Sequence, residues 1–127
     1  MIALLVNNSK IRKKNDKLIT MLQMLRGTKK EIVIPEGTQV IKSDSFKRCT
    51  NIKSVVIPKN VTYIGTGAFS DCDNLESLTI PDTVDWVEDK AFAWCDNLTV
   101  YTNNKLVIEY CNDNDVPVKP INWEWIL

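Results

Sequence analysis

Three of the four cysteines, Cys49, Cys72 and Cys95, stand 23 residues apart, a regularity that raises disulfide or soft-metal chemistry. Neither fits the surroundings. Structural zinc sites gather cysteines in close pairs or with histidine, and this chain has no Cys-x-x-Cys and no histidine among its 127 residues. The missing histidine also removes the commonest general base and the usual member of a nucleophilic triad. The carboxylates Asp71, Asp73, Asp85, Glu88, Asp89 and Asp96 could face a hard cation. A calcium loop, however, alternates acids densely up to a glycine, and Asp71-Cys72-Asp73-Asn74 is a fragment of such a loop, so solvated turn residues are the expectation. No phosphate-cradling glycine loop, nucleophile elbow or cofactor motif is present. The residue types therefore predict no catalytic residue, no cofactor and no metal site.

Charge is balanced overall, with sixteen basic and sixteen acidic residues, but unevenly placed. From Lys10 to Lys30 there are eight Lys or Arg against the single acid Asp16, which leaves eight basic and fifteen acidic groups over residues 31–127. A basic run of this kind can touch nucleic acid, yet it lacks aromatic residues for base stacking and shares its length with a regular apolar stripe. The solvated outer face of a helix is the preferred reading. The apolar run Ile2–Val6 is too short for a signal-peptide core. No stretch approaches the ~20 apolar residues that cross a bilayer. The expectation is a soluble, cytoplasmic chain, or a secreted one if a signal was trimmed.

The cysteine spacing belongs to a larger pattern. Val33-Ile34-Pro35 recurs as Val56-Ile57-Pro58 and Thr79-Ile80-Pro81, again 23 residues apart. Behind each proline the same residues return in step: Val40-Ile41, Tyr63-Ile64 and Trp86-Val87; then Phe46, Phe69 and Phe92; then the cysteines; then Asn51-Ile52, Asn74-Leu75 and Asn97-Leu98. A fixed period of this length marks stacked repeats. Within a unit, Leu75-x-x-Leu78-x-Ile80 has the period-2 alternation of a half-buried strand, and the proline that follows removes a ladder donor and ends it. Val61–Ile64 predicts a second short strand, Gly65 and Gly67 the next turn, and Ala68–Cys72 about one turn of helix. One unit cannot enclose its own apolar side chains, but a stack can, each Ile, Phe and Cys lying on its counterpart. The cysteines then form a row. In-register neighbours lie ~4.8 Å apart with parallel Cβ vectors, beyond the ~3.5–4.5 Å that a disulfide prefers. They are expected to be buried free thiols acting as small hydrophobes. Cys111 falls outside the row.

The string I-x-I-P-x-x-V-x-x-I-G-x-x-A-F-x-x-C-x-N-L resembles the BspA-like leucine-rich repeat family, and Val55–Leu75 matches it nearly residue for residue. Lys42, Ser45 and Glu88 depart from it at turn and small-residue positions. The resemblance implies a β-rich α/β solenoid, a short right-handed leucine-rich-repeat coil with an N-terminal helical cap. Three segments are expected: a helical cap over 1–29, about three 23-residue units over 30–103, and a C-terminal cap and tail over 104–127. Leu18, Met21, Leu22 and Leu25 place an amphipathic capping helix over 16–26, with Asn15 or Asp16 before it and Gly27 after it. In the fourth unit Ile80 corresponds to Asn103 and Pro81 to Asn104; a short helix is expected over Lys105–Cys111 and an extended segment over Val116–Ile121.

Residues between the buried strand positions face outward. By register these are Glu31, Val33, Ser54, Val56, Ser77, Thr79, Val100 and Thr102, a ladder of small side chains without a convergent acid, base or nucleophile. Such a face suits extended contact with a protein better than a small-molecule pocket. The expectation is a non-catalytic protein–protein interaction module, an adaptor, inhibitor or adhesin-like domain, binding through this face or through Trp123 and Trp125 of the tail. The resemblance implies bacterial surface or secreted proteins or parts of larger ones, whereas free cysteines favour an intracellular copy carried by a bacterium or a mobile element. Two alternatives stand beside it: nucleic-acid binding through the basic segment with Lys13, Lys14 and Lys17, and a structural homodimer joined by the tryptophan tail.

Overall fold

The computed structural model of the chain describes residues 31–121, the side chains of Glu31 and Val33 excepted. The expected capping helix over 16–26, the basic run around Lys13, Lys14 and Lys17, and the tail with Trp123 and Trp125 lie outside the described residues.

Each unit contributes one strand to each of two parallel sheets. Strands β1 (Glu31–Val33), β3 (Ser54–Val56), β5 (Ser77–Ile80), β7 (Thr99–Thr102) and β8 (Val118–Lys119) form a five-stranded sheet in that order. Strands β2 (Val40–Ile41), β4 (Tyr63–Ile64) and β6 (Trp86–Val87) form a second, three-stranded sheet. Pairing is parallel and in repeat register, Glu31 with Ser54 and Ser54 with Ser77, Val40 with Tyr63 and Tyr63 with Trp86. The strands are short because Pro35, Pro58 and Pro81 follow so soon and cannot donate to the next coil. These parallel rows are the repeat solenoid expected from the sequence.

The fourth unit corrects the expected register. It is one residue shorter between Leu98 and its strand, so Ser77 pairs with Thr99, Leu78 with Val100 and Ile80 with Thr102. Val100 and Thr102 therefore point into the core, both fully buried, and not outward. A one-residue slip exchanges the faces of a strand, and the outward pair is Thr99 and Tyr101. Asn103, not Asn104, stands opposite Pro81. Thr102 tolerates burial because its hydroxyl donates to the Ile80 carbonyl at 2.8 Å and accepts from the Asn104 N–H at 3.1 Å.

The core is a set of like-on-like rows. Val55, Leu78 and Val100 form one, and Ile41 and Ile64 another, all without solvent exposure. The rings of Phe46 and Phe69 stack with centroids 5.2 Å apart, and Phe69 and Phe92 follow at 6.3 Å. Backbone rungs repeat with them: the Phe46 N–H donates to the Ala68 carbonyl and the Phe69 N–H to the Ala91 carbonyl, each at 2.8 Å. The stretch expected as a helical turn over Ala68–Cys72 is instead a run of turns. Left-handed residues interrupt it at Gly67 and Asp71, and the same two places are left-handed at Asp44 and Arg48 and at Lys90 and Trp94. Gly65 has a different reason. A Cβ there would lie 2.5 Å from the Ser43 nitrogen, so the second coil meets the backbone of the first at this point.

Helix α1 (Lys105–Asp113) runs two residues beyond the expected end and turns Val107 and Cys111 inward against the stack. Its Tyr110 continues the ring ladder edge-on to Phe92 at 5.6 Å. The same hydroxyl donates to the Glu88 carbonyl at 3.1 Å and accepts from the Ala91 N–H at 3.2 Å, taking up polar groups of the third coil. The chain then turns at Asp115 and lays β8 along β7, within the segment expected to be extended.

Candidate functional site

The outward face of the five-stranded sheet carries Ser54 and Val56, Ser77 and Thr79, and Thr99 and Tyr101. Glu31 and Val33 hold the matching places in β1 by register. Serine and threonine are tolerated in such short strands because the face is only half covered, while Val56 is 56% exposed, unusual for an apolar strand residue. Of the eight positions expected to line this face, six hold their register and two, Val100 and Thr102, are replaced by Thr99 and Tyr101.

Beside this face runs a groove of about 940 Å³. It exists because every coil turns away from the strand after its proline, leaving a trough that crosses the coils. Val56 and Thr79 form its strand side, Pro58 and Pro81 its floor, and Glu36, Lys59 and Asp82 its charged rim. Asn103 replaces the proline in the fourth coil, and its Oδ1 accepts the Ile121 N–H at 3.0 Å, fixing the last described residue at the mouth of the groove. Hydroxyls, methyl groups and proline rings, with charges of both signs at the rim, can hold an extended polypeptide. They offer no general acid–base pair.

Two exposed tryptophans were not singled out from sequence. Trp86 is 58% exposed and shares a shallow hollow with Leu106 of helix α1, and Trp94, 61% exposed, lines a separate one with Lys90 and Tyr110. Trp94 sits under the Lys90 ammonium, 5.8 Å from the ring centroid. Both tryptophans occupy repeat positions; the signal that could have found Trp94 is a tryptophan where the preceding units carry Arg48 and Asp71.

The cysteine row is built as expected and does more than fill space. None of the four cysteines forms a disulfide, and Cys49, Cys72 and Cys111 are buried. The Cys72 thiol donates to the Phe46 carbonyl at 3.1 Å and the Cys95 thiol to the Phe69 carbonyl at 2.9 Å, one coil back in each case. The contact between Cys95 and Cys72, together with burial, pushes the Cys72 thiol well above its ordinary value. The same contact lowers Cys95, the half-exposed member of the row. Burial alone raises Cys111 to about 11. Because the thiolate is the reactive form, a charged disulfide reagent should titrate Cys95 first in the folded protein. Cys72 and Cys111 should follow only with unfolding, and four equal labelling rates would contradict this ranking.

Of the carboxylates expected as solvated turn residues, Asp71, Asp73, Asp89 and Asp96 lie in turns, Asp71 half-buried, and Asp85 and Glu88 flank strand β6. Asp73, Asp85, Asp89 and Asp96 are exposed, and Glu88 accepts the Tyr63 hydroxyl at 3.0 Å. The Asn that closes each unit also has a structural use: Asn74 donates to the Thr50 carbonyl and Asn97 to the Asp73 carbonyl, at 2.8 Å for the latter.

No curated protein and no solved structure gives a match to the chain. The family model described as "BspA type Leucine rich repeat region (6 copies)" matches residues 26–114, the span that contains strands β1 to β7, the phenylalanine ladder, the cysteine row and helix α1. The chain therefore belongs to the BspA-type leucine-rich repeat family.

Proposed function

We propose that this chain is a non-catalytic protein-binding module and that it contacts its partner through the outward face of the five-stranded sheet and the adjoining groove. Leucine-rich repeat families generally mediate protein–protein interaction. The observation that carries the reading is the combination of an exposed apolar residue, Val56, with a groove that crosses the coils. Repeat proteins use such extended surfaces, which grow with the stack, to hold polypeptides. The thiols of Cys72 and Cys95, hydrogen-bonded to the coil before and not bridged to each other, support a reducing, intracellular setting.

Affinity capture with wild type and with a Val56→Arg, Thr79→Arg double variant tests the face. Val56 is exposed and Thr79 half-exposed, so both arginines can be solvated without unfolding the chain. Loss of the partners held by wild type is the expected result. Recovery of the same partners at the same yield would remove the sheet face as the contact surface.

A further inference from the structure

The second sheet has an outward row of its own. Val40, Tyr63 and Trp86 stand in register, each followed by a residue that packs into the core, Ile41, Ile64 or Val87. The row grows from valine to tryptophan toward helix α1, and Trp86 is exposed where Val40 and Tyr63 are half-buried. Beside Trp86, exposed Leu106 of helix α1 closes a shallow hollow of about 240 Å³. Asp85, Glu109 and Asp113 rim it, and no lysine or arginine lines it. Among the described residues none of these three carboxylates has an ion-pair partner; Lys105, four residues before Glu109, makes no pair with it.

Stability does not account for this arrangement. Leu106, Glu109 and Asp113 share one side of helix α1 by their spacing, while Val107 and Cys111 turn inward. Like charges four residues apart, as at Glu109 and Asp113, repel each other. An anion in the last turn also opposes the helix dipole, and the last turn of α1 holds no basic residue. A tryptophan ring is left in water next to them. A cation on that ring would offset the repulsion and the dipole and cover the ring at once. The chain makes such a contact elsewhere, with the Lys90 ammonium 5.8 Å from the Trp94 ring. Among the described residues no cation lies over Trp86.

We propose that the hollow at Trp86 binds an arginine side chain from a basic segment of a partner protein, the guanidinium stacked on the indole and paired with the carboxylates of the rim. Arginine fits better than lysine. A shallow hollow beside a ring takes a flat group, and the guanidinium fork can pair with two carboxylates while it stacks. The hollow shares no residue with the groove beside the strand face, so it is a second contact surface and stands apart from the first.

The test titrates the full chain into a dye-labelled peptide of alternating glycine and arginine, followed by anisotropy. Matched peptides carry lysine, or citrulline as the neutral isostere of arginine. The arginine peptide should bind, more weakly as salt rises, several-fold tighter than the lysine peptide, and the citrulline peptide should not bind. Trp86→Leu keeps an apolar side chain without the indole and should weaken binding about 3- to 30-fold. Asp85→Asn with Glu109→Gln and Asp113→Asn should weaken it about tenfold. All three are exposed, and urea unfolding should show this variant at least as stable as wild type, so lost binding is not lost fold. Glu36→Gln with Asp82→Asn and Asp96→Asn removes the same charge from exposed sites elsewhere and should keep binding within about twofold. The proposal is overturned by an arginine peptide that does not bind, by citrulline or lysine binding equally well, or by Trp86→Leu at wild-type affinity. It is overturned too if the distant triple variant loses as much as the rim variant, since general attraction to acidic surface would then explain the binding.

Discussion

Phe69→Ala should lower the unfolding free energy by about 3–5 kcal/mol, the range for deleting a buried ring without collapse of the space it leaves. Phe69 is fully buried and stands between Phe46 at 5.2 Å and Phe92 at 6.3 Å. In a stacked repeat each coil is stabilised by its neighbours alone, so one truncation weakens two interfaces. The loss is a large part of the ~5–15 kcal/mol that holds a domain of this size together. Phe69→Leu keeps most of the volume and should cost about 1–2 kcal/mol. Urea unfolding of the two variants against wild type measures the difference, and equal losses would show that ring volume is not what joins the coils. Hydrogen exchange adds a spatial readout. The rungs from Gly65 to Ile41 and from Phe46 to Ala68 should open more often in Phe69→Ala than the rungs of β5 to β7, since the first coil keeps no interface on its other side among the described residues.

Most of the stack was legible because parallel, in-register coils require the same side chain at the same place. That demand wrote Pro35, Pro58 and Pro81, the three Phe and the three repeat Cys at one spacing, and the structure places each set in a row. The same reasoning failed where the spacing changed. Carried forward by 23, Val100 fell opposite Ser77, an apolar residue at a polar outward place, and Thr102 opposite Thr79 concealed the mismatch. The alternation of the strand decided the matter: Val100 enters the row of Val55 and Leu78, and the connection before it is shorter by one residue. Tyr110 could not be found by period at all, since it extends the ladder from a helix that belongs to no unit. The groove was hidden for another reason. Its residues are unremarkable in type, and it arises from the path of the backbone after each proline and from the Asn103 contact to Ile121.

Asn104 is where the repeat gives way to the helix, and Asn104→Asp should be nearly as damaging as loss of the phenylalanine ring. Asparagine and aspartate are about equal as helix N-caps, so the capping role alone predicts little change. The structure gives this side chain two further tasks. While its Oδ1 accepts the Leu106 N–H at 3.0 Å, its Nδ2 donates to the Pro81 carbonyl at 3.2 Å and the Val84 carbonyl at 2.9 Å. A carboxylate keeps the first bond and turns lone pairs toward two carbonyl oxygens, in a place only 8% exposed. Two lost bonds and a charge buried without a partner cost about 3–5 kcal/mol. Asn104→Ser keeps a cap and removes the two donors without adding charge, and should cost about 1–3 kcal/mol. The pH dependence separates the two causes. Burial and the facing carbonyls raise the introduced carboxyl in the folded state above its unfolded value, so the penalty is full above the folded value and shrinks as pH falls through it. Urea unfolding at pH ~7 and again near pH ~4 should show the deficit of Asn104→Asp narrowing on acidification, a titration referred to the ordinary carboxyl value of ~3.9. The deficit of Asn104→Ser, referred to wild type at each pH, should hold. An Asn104→Asp variant within about 1 kcal/mol of wild type at neutral pH would mean that the cap, and not the pair of carbonyl contacts, is what ties helix α1 to the third coil.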